Sequence, residues 1–172
     1  DALEGIIESY ELAFKMQGKV PELLDISKEP KHVLDAYGVK PGPAGSFARQ
    51  CLMARRLSEA GVRFVEICQG GWDHHNNLHK GLINNASVTD QPTAALLTDL
   101  AQRGLLEETL VCFVTEFGRT PRLNRAQGRD HWTHAYSMVF AGAGIRGGQV
   151  IGRSDREGGY VIEHPFTPEN YA

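Results

Sequence analysis

The sequence predicts an α/β fold, a mostly parallel sheet flanked by helices. Three observations carry that expectation. Residues 62–68 (VRFVEIC) alternate in polarity and are rich in β-branched and aromatic side chains, as in a strand. Residues 110–115 (LVCFVT) form an apolar run of strand length, the pattern of a strand buried on both faces. Helical periodicity lies between them, and the order helix–strand–helix–strand–loop–strand is that of βαβ units.

The other elements follow in chain order. Residues 1–16 place Leu3, Ile6, Ile7, Tyr10 and Phe14 on one face at three- and four-residue spacing, which predicts an amphipathic helix. Pro21 and Pro30 punctuate the next stretch, leaving two short helical pieces over 21–27 and 30–36. VKPGPAG (39–45) is a turn-rich break. A helix is predicted over 45–60, with Phe47, Cys51, Ala54 and Leu57 inward, Arg49, Arg55 and Arg56 outward, and Gly61 as its C-cap. QGGWDHHNN (69–77) reads as a loop. Residues 79–103 read as helix, with a break near Thr89–Pro92 and Gly104 at the end. A long polar loop (117–134), a third strand (136–141) and a glycine-rich surface excursion with a short β-turn element (142–160) complete the reading. The chain is thus one domain, with a helical segment over 1–60 and an α/β segment over 61–172. At the end, Thr167 and Pro168 read as the N-cap and first residue of a further helix. The start carries no methionine and no signal-like segment. Both ends therefore look cut, and a fragment of a longer protein is expected.

Composition narrows the function classes. A length of 172 residues suits one domain. With 41% hydrophobic and 23% charged residues the chain reads as globular rather than disordered. A net charge of −3 gives no basic excess for nucleic acid or anionic lipid. Cys51, Cys68 and Cys112 form no CxxC pair, against a disulfide scaffold or a cysteine zinc site. No apolar run approaches the roughly 18–20 residues of a membrane span.

Two polar clusters begin where parallel strands would end, the usual place for a ligand in an open α/β sheet, and a third lies on the loop before the third strand. The first is Trp72-Asp73-His74-His75-Asn76-Asn77, followed by His79. The second is Thr115-Glu116-Phe117-Gly118-Arg119-Thr120 and the third Arg129-Asp130-His131-Trp132-Thr133-His134. Carboxylates and imidazoles from three loops suit a divalent ion such as zinc, manganese, magnesium or calcium. Against this stand solvated histidines, an ion pair of Glu116 with Arg119 or Arg129, and an Asp130 that only orients His131. Arg119, Arg122, Arg125 and Arg129 could grip an oxyanion or form a solvated basic loop. Cys68, at the end of the first predicted strand, reads as a buried structural cysteine or as a thiolate nucleophile.

Seven ordered blocks resemble a known family: SYELAFKMQ (9–17), RRLSEAGVRFVEI (55–67), GGWDHHNN (70–77), TDLAQRGLLEETLV (98–111), TEFGRTP (115–121), GRDHW (128–132) and AGAGIRGGQVIGRSD (141–155). They resemble bacterial domains of unknown function that carry sulfatase labels, within the alkaline phosphatase superfamily. The resemblance implies the C-terminal part of an alkaline-phosphatase-like domain and a metal-dependent hydrolase of sulfate or phosphate esters. The nucleophile would lie upstream, so this fragment would be inactive alone. It further implies metal ligands at Asp73, His75, Glu116 and His131, with His74 and Asp130 as ligands or their supports, and oxyanion stabilisation by Arg119 or Arg129. His74 stands where the family carries threonine, and Phe117 where it carries a histidine. One metal or an altered pair is implied rather than a standard dizinc centre. Export to the periplasm is implied as well. The competing expectation is a degenerate site in a non-catalytic binding or scaffolding protein of the cell envelope. The substrate, the metal and the oligomeric state are not fixed by the sequence.

Overall fold

Residues 2–41 and 45–167 are described by a computed structural model. Their elements in order are α1 (Ala2–Leu24), α2 (Lys31–Tyr37), α3 (Phe47–Glu59), α4 (Leu78–Gln102), a 3-10 turn (Leu105–Glu107), then β1 (Val111–Phe113), β2 (Gly118–Arg119), β3 (His131–Trp132), β4 (Val139–Ala141), β5 (Arg153–Ser154) and β6 (Val161–Glu163). Pro168 lies outside the described residues, as does the centre of the 39–45 break. No helix of the described residues is long and apolar enough to cross a membrane.

The chain divides into two compact units, Asp1–Cys68 with Thr89–Asp99, and Gln69–Val88 with Leu100–Ala172. Helix α4 thus contributes to both.

The first unit is helical. Helix α1 continues through Pro21, where the sequence predicts a break, and Asp25 N–H still bonds Pro21 O at 3.1 Å. Its apolar face forms as expected but stays exposed at Leu3, Ile6, Ile7, Tyr10 and Phe14. Helix α3 begins at Ser46, whose hydroxyl accepts from Arg49 N–H at 3.4 Å. It ends with Gly61 at φ 84°, and Val62 N–H returns to Leu57 O at 3.0 Å. Ile26, Tyr37, Phe47, Cys51, Leu52, Ala54 and Leu96 form this unit's core. Burial pushes the Cys51 thiol up to about 12.

Arg55 departs from its predicted outward position and is buried. Three carboxylates surround it: Glu29 at 2.9 Å, Glu59 at 2.8 Å and Asp99 at 2.9 Å. Tyr37 Oη donates to Asp99 at 3.0 Å. Arg56 joins by an ion pair to Glu29 at 2.5 Å and a hydrogen bond to Leu23 O at 2.7 Å. Burial raises the cost of ionising Glu29, but Arg56 and Arg55 outweigh it and hold its carboxyl below the ordinary value. Helical periodicity sees only one face of α3; the partners that bury Arg55 come from distant segments.

The predicted mostly parallel, helix-flanked sheet is not formed. The strands pair as three two-stranded antiparallel sheets, β1 with β4, β2 with β3 and β5 with β6. The segment 114–138 between β1 and β4 holds no helix to serve as a crossover, and an antiparallel pair needs none. Residues 62–68 form no strand, because alternation supplies a face and no ladder partner meets it among the described residues. Phe64 is 81% exposed and Cys68 is exposed, so the buried-cysteine expectation also fails. A hydrogen bond to Glu66 raises the Cys68 thiol, which disfavours the thiolate. The break predicted near Thr89–Pro92 is absent too: α4 runs straight through, and Thr93 Oγ1 donates to Thr89 O at 2.7 Å.

Candidate metal centre

In the second unit two loops are clasped backbone to backbone. Asn76 and Gln127 form an antiparallel bridge. Asn77 N–H bonds Ala126 O at 3.2 Å, Leu78 N–H bonds Gln127 O at 2.9 Å, and Arg129 N–H bonds His74 O at 2.9 Å. Gly128 permits this approach: a Cβ there would stand 2.0 Å from the carbonyl carbon of His75. The clasp sets Asp73 and His75 beside Asp130 and His131.

The β2–β3 ladder delivers the rest. Arg119 and His131 are register partners, so their side chains are cross-strand neighbours. Gly118 allows the pairing, since a Cβ would lie 1.9 Å from Ala135 O. Thr120 N–H donates to Asp130 O at 2.9 Å, and Asp130 N–H to Thr120 Oγ1 at 3.1 Å. The Phe117 ring packs against His131 at 4.5 Å between centroids, with the Arg119 guanidinium 5.5 Å over its face.

Asp73, His75 and His131 converge. Asp73 Oδ1 lies 3.0 Å from His75 Nε2 and 3.0 Å from His131 Nε2, and the two imidazole nitrogens are 3.2 Å apart. Ligands at roughly 2.0–2.1 Å from a tetrahedral zinc ion stand roughly 3.3 Å apart, so the triangle has the size of a first coordination shell. Behind it, Asp130 Oδ1 lies 2.9 Å from His75 Nδ1. With the proton on Nδ1, facing Asp130, the Nε2 lone pair is free for the triangle, the carboxylate–histidine arrangement of metal sites. Asn124 Nδ2 donates to the same Asp130 oxygen at 3.1 Å.

The electrostatics match. Hydrogen bonds from Arg119 and then His131 hold the Asp73 carboxyl down at about 2. Hydrogen bonds from His75 and then Asn124 hold Asp130 below its ordinary value. Both carboxylates are ionised at neutral pH. An anionic oxygen and two imidazole nitrogens facing one point form a donor set that a divalent cation fits, with coordination positions left for other ligands.

The remaining expected residues fall outside the triangle. Glu116 is exposed, and its tie to the site is a 3.7 Å ion pair with Arg119. His74 turns toward Trp72 and Gly81, and its Nε2 is buried without a hydrogen-bond partner. Asp130 supports His75 rather than joining the three. Arg119, not Arg129, makes the ion pair to Asp73. Arg129 serves the clasp through its backbone, and its Nε is buried and unpartnered. Arg122 pairs with Glu157 at 3.1 Å. The sequence reading missed Asn124 and Gly128. The signal was the Asn-x-x-x-Gly spacing in a polar loop, where asparagine caps the turn that follows it.

No curated protein and no solved structure matches the chain, so the expected sulfatase and alkaline phosphatase kinship gains no named relative. One family model, described as a protein of unknown function (DUF1501), matches residues 1–171. Over that span, which is nearly all of its length, the chain belongs to the DUF1501 family.

Proposed function

We propose that Asp73, His75 and His131 hold a divalent metal ion in a hydrolase acting on sulfate or phosphate esters. The observation that carries this reading is the donor triangle of 3.0–3.2 Å with Asp130 behind His75. A bound ion would supply Lewis acidity toward an ester oxygen. The chain's own residues do the rest. Asp73 supplies the anionic ligand, and Asp130 fixes the tautomer of His75. Arg119, beside Asp73, offers a guanidinium to the charge that develops on the transferring group. The choice of ester follows only from the resemblance of the seven blocks to sulfatase-labelled sequences.

A non-catalytic binding or scaffolding role at the cell envelope is the second reading. The Arg119–Asp73 ion pair favours it, because a guanidinium neutralises the ligand carboxylate without any metal.

Calorimetric titration of the chain with zinc, manganese, magnesium and calcium salts, combined with assays of the full-length protein on 4-nitrophenyl phosphate and sulfate, separates these readings. The hydrolase reading expects one equivalent bound, affinity at least 100-fold weaker in His75→Ala and His131→Ala, and, in the full-length protein, ester cleavage that follows metal loading. No heat and no thermal shift with any of the four ions would sink the metal. Binding without cleavage would favour the scaffold.

A further inference from the structure

We infer that Asn124 is a positioning residue of this centre: it grips Asp130 and the His75 backbone together, so that His75 presents Nε2 to the metal. The inference rests on the metal reading above and adds the part that holds the ligand in place.

Every hydrogen-bonding position of the Asn124 side chain is used. Nδ2 donates to His75 O at 2.9 Å and to Asp130 Oδ1 at 3.1 Å. Oδ1 accepts from Ala126 N–H at 2.9 Å and Gly128 N–H at 3.0 Å. An amide has two donor hydrogens and two acceptor lone pairs, so the capacity is full. Its backbone joins in, with Asn124 N–H to Gly128 O at 2.9 Å and Gln127 N–H to Asn124 O at 3.1 Å.

The two halves of the amide do different work. The oxygen closes the 124–128 turn, and a shorter acceptor could replace it. The nitrogen reaches both a ligand residue and the carboxylate that orients the ligand, and only a donor at that reach can do so. Aspartate lacks the donor and glutamine is one methylene longer. Asp130 is itself half-exposed, so without Asn124 its carboxylate swings toward water and the His75 proton is no longer confined to Nδ1.

The test uses zinc chloride with the wild-type chain, Asn124→Ala and Asn124→Ser. Serine keeps an acceptor for the turn and is too short to reach Asp130. Long-range proton–nitrogen spectra of the zinc-free proteins read the His75 tautomer, which a merely structural role would not move. The expected result is a larger share of the Nδ1-protonated tautomer of His75 in the wild type than in either variant, and zinc affinity lower by about 10–100-fold in both variants. A folded Asn124→Ser protein with the wild-type tautomer and zinc affinity would overturn the assignment. If the wild type binds no zinc, the metal reading fails alone, and the tautomer comparison still decides whether Asn124 orders His75.

Discussion

The two units of this chain are organised by different forces. Among its described residues the first buries seven apolar side chains, from Ile26 to Leu96, around an enclosed arginine. The second buries one, Leu100, among its described residues. Its order comes instead from backbone hydrogen bonds between loops, from glycines that admit another backbone within about 2 Å of where a Cβ would stand, and from one saturated asparagine. Core packing makes a unit tolerant of surface change and sensitive to volume. A clasp of loops is sensitive to single polar atoms. The difference teaches where to look for function: the candidate centre lies wholly in the unit with little apolar core, on loops and the short β2–β3 ladder.

The sharpest way to break this comparison is Arg55→Ala. It leaves Glu29 and Asp99 without their shared cation in a buried setting, and we expect a loss of about 3–5 kcal/mol in denaturant unfolding. Leu52→Ala follows, with about 2–5 kcal/mol expected for a side chain fully out of water. If both cost less than about 1 kcal/mol by the same measurement, the first unit has no real core and the contrast collapses.

Acid sharpens the comparison next. The Glu29 carboxyl is held below its ordinary value of 4.5. Its contribution is therefore fully present above that value and is lost as pH falls through the lower folded value. Melting of the first unit, followed by hydrogen exchange or tyrosine fluorescence, should stay level from neutral pH to about 5 and decline below it. A Glu29→Gln variant should abolish that decline; an unchanged profile would remove Glu29 as its cause.

Smaller global effects are expected in the second unit. Gly128→Ala should strip exchange protection from the amides of residues 77, 78 and 129 and weaken zinc binding more than tenfold, while amides of α3 keep theirs. Loss of protection in both units would show that they unfold as one. His131→Ala should be the mildest, shifting metal-free stability by less than about 0.5 kcal/mol, because its ring is half-exposed.

Much of the site was legible in the sequence, and less of the fold. Asp73, His75, Asp130 and His131 stood out because imidazoles and carboxylates cluster in loops flanked by apolar runs. Glu116 did not join them, because spacing says nothing about the β2–β3 register that turns Arg119 toward His131 instead. Helix α3 was readable from local signals, the apolar spacing of Phe47, Cys51, Ala54 and Leu57 and the Gly61 cap. The sheet was not, since strand pairing is a contact between distant segments: Val111–Phe113 and Val139–Ala141 have the composition of parallel strands and the connection of an antiparallel pair. Arg55 misled for the same reason, two of its three carboxylate partners lying 26 and 44 positions away in the chain.

The Asn76–Gln127 bridge has a kinetic consequence. His75 and His131 are 56 residues apart, and joining them closes a long loop whose entropy grows with the logarithm of its length. Backbone hydrogen bonds between 74–78 and 126–129 meet that closure before any cation arrives. An ion bound there, as proposed, would find its ligands already gathered, and its arrival would be governed by shedding its own water rather than by a search of the chain. A chelator should accordingly empty the centre within its own exchange time and leave the two loops fastened.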